Sequence, residues 1–393
     1  MRPVPDASPD AFATALAALR APFPDDGDLH LNNAGISPLS PAADAALQHM
    51  IGLARRGTLG IGETIGRVEA ARASVARLVG AAPGDVAFFQ TCAAALSQIA
   101  LGLELGPGDE LVVLDQEYPS NAYPWMRAAE LRGCVLKIVA SRPDLTIDPA
   151  ALLAAIGPRT RVLACSWVQY QTGTTLELPP LAEAVHANGG LLVVDAIQGL
   201  GVMPFDLAAM GADVVCGGSQ KWLMGPMGLG FLAARPGLVE RISPIVHGAM
   251  TYGTPDDAPD AARPARANAR RFEPGSPQIL SAPGTGASID ALLDAGIERL
   301  GAEARTLADR LAEGLLRRDY ALFPRAPLSP IVTFKPRRPP GELSSALFAQ
   351  GCAVSVRAGG LRVSPHAHNR PAHIDRFLGL LDTLDRDGNG ATP

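Results

Sequence analysis

The sequence lacks the patterns that would mark a metal site, a disulfide framework or a nucleic-acid partner. Its five cysteines are scattered and odd in number, and no two stand at metal-ligand spacing. The formal net charge is −5 and no basic run stands out. A metal site, a disulfide framework and nucleic-acid binding are therefore not expected.

Long apolar segments are missing as well. The longest apolar runs, such as residues 189–196, are far too short to span a bilayer. The first residues, MRPVPDASPDAF, contain no apolar stretch of the kind that signal peptides carry. We therefore expect no membrane association and a cytoplasmic protein.

Lysine is rare, although basic residues are not. Only Lys137, Lys221 and Lys335 occur among the 34 lysine and arginine residues. A lysine kept in such an arginine-rich chain is a candidate for a task that arginine cannot perform. With 393 residues, of which 47% are hydrophobic, the chain is long enough for a large core and for two or three domains.

Short apolar segments alternate with helical segments over the first part of the chain. The predicted strands are Val86–Gln90, Glu110–Leu114, Val135–Ala140, Val162–Ser166, Leu191–Asp195, Val214–Gly217 and Gly230–Ala233. The helices predicted between them are Thr91–Leu103, Ala122–Leu131, Pro149–Ala155 and Pro180–Asn188. Because the strands are apolar throughout and are separated by helices, they predict an α/β fold with a mostly parallel seven-stranded sheet, covered on both faces.

A Pro-, Ala- and Asp-rich stretch, Gly253–Ala269, predicts a surface loop after this sheet. Beyond it, a smaller α+β domain is predicted from the segments Ala282–Asp319 (a long helix), Pro330–Phe334, Gly341–Gln350, Ala353–Val356, Leu361–Ser364 and Ala372–Leu384. We expect a large domain over residues 28–265. The small C-terminal domain is expected to comprise residues 266–393 together with the N-terminal segment 1–27.

Asp195 and Lys221 are the strongest candidates for chemistry. Asp195 ends a predicted strand, at the sheet edge where open α/β sheets place ligands, and Lys221 follows the next strand in a loop of small residues. Burial lowers the pKa of a lysine and so suits it to Schiff-base chemistry. A carboxylate at the ring nitrogen is what pyridoxal 5′-phosphate (PLP) requires. The pair predicts a covalently bound PLP, with Lys221 and Asp195 as catalytic residues.

A predicted strand turns directly into a helix at Thr91, Cys92 and Ala93. Backbone N–H groups at the start of a helix bind anions, so these residues are candidates for binding the cofactor phosphate. Ordinary capping of the helix by Thr91 would explain the same pattern.

Five segments resemble, in order, the motifs of the class V aminotransferase family of fold-type I PLP enzymes. Residues 195–198, DAIQ, match D-x-x-Q, and residues 219–231, SQKWLMGPMGLGF, match [SG]-x-[HQR]-K-[WL]-x-x-G-P-x-G-x-G. The resemblance implies that Asp195 pairs with the ring nitrogen, that Gln198 contacts the ring hydroxyl and that Lys221 forms the Schiff base. Gln220 stands where a phosphate contact is common.

Two further segments concern the cofactor and a second subunit. Residues 117–125, EYPSNAYPW, resemble E-H-x-x-N-x-x-P-W, with the catalytic Tyr118 in place of the histidine that stacks on the cofactor. The resemblance also implies cofactor contacts for Asn121 and Tyr170. Residues 271–278, RFEPGSPQ, resemble a loop that crosses a dimer interface, which implies a homodimer with shared active sites in which Ser276 binds the other subunit's phosphate.

The remaining motif concerns the substrate. Residues 361–369, LRVSPHAHN, resemble x-R-x-S-x-x-x-Y-N, whose arginine binds the substrate α-carboxylate, a role that falls to Arg362. Arg357 is expected to contact the substrate too. The segment 30–38 resembles a loop that lines the substrate side, where Asn33 and Ala34 are the expected contacts.

Cysteine desulfurases of the family carry a catalytic cysteine shortly after an arginine, but here Arg357 leads directly into the strand of Arg362, and Cys352 precedes both. A persulfide-forming desulfurase is therefore not expected. The resemblance implies an enzyme that acts on the amino group of an amino acid, a small-molecule substrate, by transamination with a keto acid. Elimination by a C–S lyase and epimerisation remain open, with Tyr118, Tyr170 and His366 as candidate general acids. A non-catalytic PLP-binding module is a further alternative.

Overall fold

A computed structural model describes residues 9–253, 262–325 and 328–385. The strands are β1 (Leu29–His30), β2 (Val86–Phe89), β3 (Glu110–Leu114), β4 (Val135–Val139), β5 (Thr160–Ser166), β6 (Leu191–Asp195), β7 (Val214–Gly218), β8 (Gly230–Ala234), β9 (Ala321–Leu322), β10 (Val332–Lys335), β11 (Cys352–Ala353), β12 (Ser355–Arg357) and β13 (Gly360–Val363). The segments predicted as the large sheet are β2 to β8.

These seven strands form one sheet in the order β2-β8-β7-β6-β5-β3-β4. Only β8 runs antiparallel to its neighbours, so the predicted mostly parallel seven-stranded sheet is confirmed. Strands β3, β6, β7 and β8 are buried along their whole length because helices cover both faces. The edge strand β4 is partly exposed.

The helices are α1 (Pro9–Arg20), α2 (Pro41–Ala54), α3 (Ile61–Val79), α4 (Cys92–Gly102), α5 (Pro119–Arg132), α6 (Pro149–Ala155), α7 (Leu178–His186), α8 (Ala249–Tyr252), α9 (Ser281–Ala295), α10 (Ile297–Leu316), α11 (Pro340–Ala349) and α12 (Pro371–Leu384). Short 3-10 helices occupy Gly57–Gly60, Pro83–Asp85, Val239–Arg241 and Ala269–Phe272. Helices α2 and α3 were not predicted. Ser40, whose side chain accepts a hydrogen bond from the Ala43 N–H, is the capping signal that marks α2.

The single long helix predicted over Ala282–Asp319 is wrong. The segment forms two helices, α9 and α10, which meet at Gly296. Gly296 has φ 89° and ψ 102°, a conformation that a residue with a side chain rarely adopts and that no α-helix can contain. The glycine therefore ends one helix and lets the next begin in a new direction.

The C-terminal part forms an antiparallel sheet in the order β12-β13-β10-β9, and β1 pairs in parallel with β11. Leu29 and Leu31 consequently pack in the same core as Phe334 and Phe377. Ile289 of α9, in contrast, packs in the core beneath the large sheet. Contacts thus cross the predicted boundaries, and the division into domains at 28–265 and 266–393 stays a prediction.

Part of the predicted surface loop Gly253–Ala269 lies outside the described residues, at 254–261. Within the described ranges, no helix has the length and apolar character needed to cross a membrane. The same ranges contain no group of three or more His, Cys, Asp or Glu side chains placed to hold a metal ion.

Candidate active site

A cavity of about 460 Å³ opens at the carboxyl ends of the parallel strands. Most of the residues predicted from the sequence line it, namely Thr91, Cys92, Ala93, Tyr118, Tyr170, Asp195, Gln198, Gln220, Lys221, Arg357 and Arg362. Residues that the sequence did not indicate line it too, including Asn32, Gly35, Ser120, Ile197 and Met227. Asn33, Asn121 and Ser276 are not part of its wall.

Asp195 is held by the protein through one of its two carboxylate oxygens. It ends β6, is almost fully buried, and accepts hydrogen bonds at Oδ1 from the Ile197 N–H (3.0 Å) and from the Cys92 thiol (3.7 Å). Burial raises the pKa of this carboxyl group, while the Ile197 N–H and the nearby Lys221 lower it. Because both donors use Oδ1, Oδ2 is available to a group inside the cavity.

Lys221 follows β7, is half-buried and lines the same cavity as Asp195. Burial lowers the pKa of its amine to about 8, an effect that Asp195 opposes and Arg362 reinforces. Its Nζ atom lies 5.5 Å from the centre of the Tyr118 ring. An amine with this pKa is partly unprotonated near neutral pH, which is the state that attacks a carbonyl carbon or takes a proton.

The backbone after Lys221 is fixed by a chain of hydrogen bonds. The His366 Nδ1 atom accepts from the Ala367 N–H (2.8 Å), so Nε2 carries the proton and donates to the Trp222 carbonyl (3.0 Å). The Trp222 indole N–H donates to Gln198 (2.9 Å), which donates to the Ala34 carbonyl (3.0 Å). His366 therefore lies behind the lysine loop and outside the cavity, which corrects its assignment as a candidate general acid.

Arg362 is buried without a carboxylate partner. Its Nη1 atom donates to the Tyr170 carbonyl (2.6 Å), its Nη2 atom lies 3.4 Å from the Asn32 side-chain oxygen, and its Nε atom has no partner among the described residues. Burial, together with the charge of Arg357, lowers the pKa of this guanidinium to about 9. A buried cation with a free donor is prepared to bind an anion.

Thr91 caps α4 by accepting a hydrogen bond from the Ala94 N–H (3.1 Å), and the first residues of this helix border the cavity. Strand β8 passes very close to the same turn at Gly230. A Cβ atom at Gly230 would clash with the backbone of Thr91 and Cys92. The first residues of α4 line the cavity, so capping by Thr91 and anion binding at the start of the helix are compatible.

Asn121 and Asn33 occupy supporting positions rather than the cavity wall. Asn121 is fully buried. Its side chain donates to Glu117 (2.8 Å) and accepts from the Trp125 indole N–H (3.1 Å). Asn33 donates to the Ser364 carbonyl (2.8 Å) and accepts from the Ser37 hydroxyl (2.8 Å). Both side chains form hydrogen bonds within the protein. Their direction, away from the cavity, was not predicted from the sequence.

Glu117 is a buried carboxyl group that the sequence reasoning missed. It accepts hydrogen bonds from the Ser166 N–H (2.8 Å) and hydroxyl (2.5 Å). Burial raises its pKa to about 7 despite these bonds. Since Ser166 pairs with Asp195 across β5 and β6, Glu117 ties the Tyr118 turn to the strand next to Asp195. Its position as the first residue of the motif EYPSNAYPW is the sequence feature that could have indicated it.

Ser276 lies in a second cavity, of about 450 Å³, with Gln90, Ala94 and Gln278. Ser276 is not among the residues that line the Lys221 cavity of its own chain. Its predicted contact with another subunit's phosphate stays a prediction.

The chain is similar to known proteins over most of its length. A model of the family described as aminotransferase class-V matches residues 37–374. An isopenicillin N epimerase of Streptomyces clavuligerus is 33% identical over 80% of this chain and 83% of that protein. A probable cysteine desulfurase of Pseudomonas aeruginosa is 31% identical over 80% and 82%, respectively. The fold is similar to that of an apo cysteine desulfurase from Thermococcus onnurineus, with a TM-score of 0.85, 24% identity, and coverage of 91% of this chain and 94% of that one.

The buried histidines behind Lys221 predict acid sensitivity. His366 has a pKa of about 4, lowered from 6.5 by burial, and burial holds the pKa of His368 well below 6.5. Between pH 6.5 and pH 4, these histidines bind more protons in the unfolded chain than in the folded chain. The free energy of unfolding therefore falls as the pH decreases from 6.5 towards 4, by about 3 kcal/mol from His366 alone. Urea unfolding at a series of pH values measures this loss.

Two substitutions separate titration from hydrogen bonding. His366→Phe and His368→Phe should both reduce the acid-dependent loss, because each removes a histidine that is neutral when folded; His30 and His373 remain. At pH 8, His366→Phe should also cost about 1–3 kcal/mol because the Trp222 carbonyl loses its donor. His368, whose ring nitrogens have no hydrogen-bond partner among the described residues, is the matched control, and His368→Phe should cost little. An unchanged pH dependence in both variants would contradict the assignment.

Proposed function

The chain belongs to the aminotransferase class-V family, whose cofactor is pyridoxal 5′-phosphate, and from this premise we propose that it transfers the amino group of an amino acid to a keto acid. The observation that carries the proposal is one well-placed base: Lys221, whose pKa is about 8, lines the same cavity as Asp195 and Arg362, with its Nζ atom 5.5 Å from the centre of the Tyr118 ring. Transamination needs one base that takes a proton from one carbon and returns it to another, and Lys221 can do both.

The cavity fits the cofactor in three respects. Oδ2 of Asp195 is available to the ring nitrogen, the start of α4 offers backbone N–H groups to the phosphate, and Lys221 supplies the amine for covalent attachment. Tyr118 would cover the ring face, while Gln198, Gln220 and Tyr170 would make the remaining polar contacts. When bound, PLP supplies an electron sink for the charge that develops at the substrate Cα.

The side chains of the chain itself then have separate tasks. Arg362 would bind the substrate α-carboxylate through its free Nε–H and so present the Cα–H bond to Lys221. Lys221 would take the proton beside Tyr118 and Tyr170, two residues of the cavity lining whose rings meet edge to face at 5.1 Å. Asp195, which lines the same cavity, would hold the ring nitrogen through its available Oδ2 atom.

Epimerisation is the second candidate, because the relative named isopenicillin N epimerase is 33% identical over most of the chain. Epimerisation with two bases needs an acid on the face opposite the lysine. No histidine occurs in the described lining of the cavity, so that proton would have to come from a tyrosine hydroxyl group or from the Cys92 thiol, whose pKa is raised by burial. The cavity thus supports the one-base reaction better than the two-base reaction.

Persulfide formation has no support from the cysteines. Arg357 and Gly360 are joined by a tight turn at Ala358 and Gly359, which have φ values of 50° and 73° and leave no room for a catalytic loop. Cys352 is buried in the C-terminal core on β11. Cys92 does line the cavity, but burial and the charge of Asp195 raise the pKa of its thiol well above the usual value.

A panel of products tests the proposed reaction. We expect the holoenzyme to form a new keto acid from an amino acid only when an acceptor keto acid is added. Lys221→Ala should lower the rate by roughly 100- to 10,000-fold or more, because it removes the base and the covalent anchor. Ammonia released together with pyruvate would indicate a lyase, and racemised substrate an epimerase. Bound cofactor without any turnover would indicate a non-catalytic module; each of these results contradicts transamination.

We further propose a homodimer with shared active sites. Ser276 is outside the Lys221 cavity of its own chain, and beside it the apolar side chains of Ile245 and Val246 are 39% and 55% exposed. An exposed apolar patch next to a cavity favours contact with another protein surface. A second copy of the chain would cover this patch and would bring Ser276 towards the phosphate end of the opposite site.

Mixed dimers test this arrangement. Ser276→Ala should weaken PLP binding by about 10- to 100-fold, the value of a hydrogen bond to a charged group. When Ser276→Ala and Lys221→Ala chains are co-expressed, each hybrid dimer should contain one complete site and regain full-affinity PLP binding and activity at limiting cofactor. A mixture that behaves as the average of the two separate variants would contradict the shared site.

A further inference from the structure

Two guanidinium groups face the cavity without a carboxylate to balance them. Arg362 uses neutral oxygen atoms, the Tyr170 carbonyl and the Asn32 amide. Arg357 donates to the carbonyl of its neighbour Val356 (2.7 Å), and within the described ranges it forms no ion pair. Asp195 is the only acidic residue of the described lining, and it faces Lys221 and the ring-nitrogen position. The substrate side of the cavity is therefore positively charged.

The hairpin of β12 and β13 places these two arginines at different depths. Arg357 lies opposite Gly360, and Arg362 is two residues further along β13, so both side chains leave the same face of the hairpin. Such diagonal neighbours are about 7–8 Å apart at their Cα atoms. Arg362 is 1% exposed and is fixed deep in the cavity, whereas Arg357 is partly exposed and bends back along its own strand.

This separation suggests two anion positions rather than one. The α-carboxylate next to the reacting Cα belongs at the deep Arg362, because Arg362 is fixed in the wall of the cavity that Lys221 also lines. A second anionic group at the far end of the same molecule would reach Arg357 near the cavity mouth. Two cations without counter-ions at these positions repel each other, and the charge of Arg357 contributes to the lowered pKa of Arg362. A dianionic ligand would relieve this repulsion at both ends.

We propose that the substrate is an acidic amino acid whose side-chain carboxylate is bound by Arg357. The inference rests on the proposed function only in giving Arg362 the α-carboxylate. Arg357 is then a specificity-determining residue: it distinguishes a charged side chain from a neutral one and leaves the reaction at Cα unchanged.

Binding of carboxylates that lack an amino group tests this inference apart from any turnover. The holoenzyme is titrated calorimetrically with succinate, glutarate and adipate, and with the monocarboxylates butyrate, valerate and hexanoate of the same lengths. At least one dicarboxylate should bind about 10-fold or more tightly than its monocarboxylate, as expected for one additional charge-assisted hydrogen bond. Arg357→Gln should lower dicarboxylate affinity by about 10- to 100-fold and change monocarboxylate affinity little.

Arg127→Gln is the matched control, since Arg127 is an exposed arginine paired with Glu130 outside the cavity, and it should change neither affinity. Equal weakening of both ligand classes in Arg357→Gln would mean that Arg357 shares the α-carboxylate, and would overturn the inference. So would the absence of any dicarboxylate preference in the unmodified enzyme. If the preference is present but amino-group transfer is not, the inference stands and the proposed reaction fails.

Discussion

The electrostatic attraction between the Lys221 amine and the Asp195 carboxylate, which line the same cavity, is the interaction on which the rest of the site depends. Taking an amine out of water disfavours its charged form, and the nearby carboxylate restores part of that loss, so the pKa of Lys221 settles at about 8. Both groups sit at the carboxyl ends of adjacent parallel strands, β6 and β7. The sheet thus brings together two residues that are far apart in the sequence and shields them from solvent.

The C-terminal residues fix the backbone that follows Lys221. His366 holds the carbonyl of the residue that follows Lys221, and Trp222 passes the constraint to Gln198 and Ala34. On the front side, the β12–β13 hairpin supplies Arg357 and Arg362. One segment of the chain, residues 355–369, therefore both fixes the backbone next to the lysine and places two arginines in the cavity wall. This arrangement explains why a short, tight hairpin is compatible with catalysis although it carries no cysteine.

The sequence predicted the large sheet, the cofactor and most of the cavity because those features follow from local patterns. Asp195 and Lys221 end apolar strands, and parallel strands end at a common edge, so their proximity could be inferred. The direction in which a side chain points could not be inferred. Asn121 and Asn33 belong to matching motifs, but their side chains point into the protein and away from the cavity. His366 was misassigned for the same reason. The break between α9 and α10 depends on the backbone conformation of Gly296, which helical periodicity does not report.

The scarcity of lysine makes the central claim directly measurable. The protein is incubated with pyridoxal 5′-phosphate, reduced with borohydride, digested and analysed by mass spectrometry. Only Lys137, Lys221 and Lys335 are available as side-chain amines, so the possible labelled peptides are few. The account predicts a stoichiometric pyridoxyl phosphate label on Lys221 alone. A label on Lys137 or Lys335 instead, or no stable label on Lys221, would contradict it.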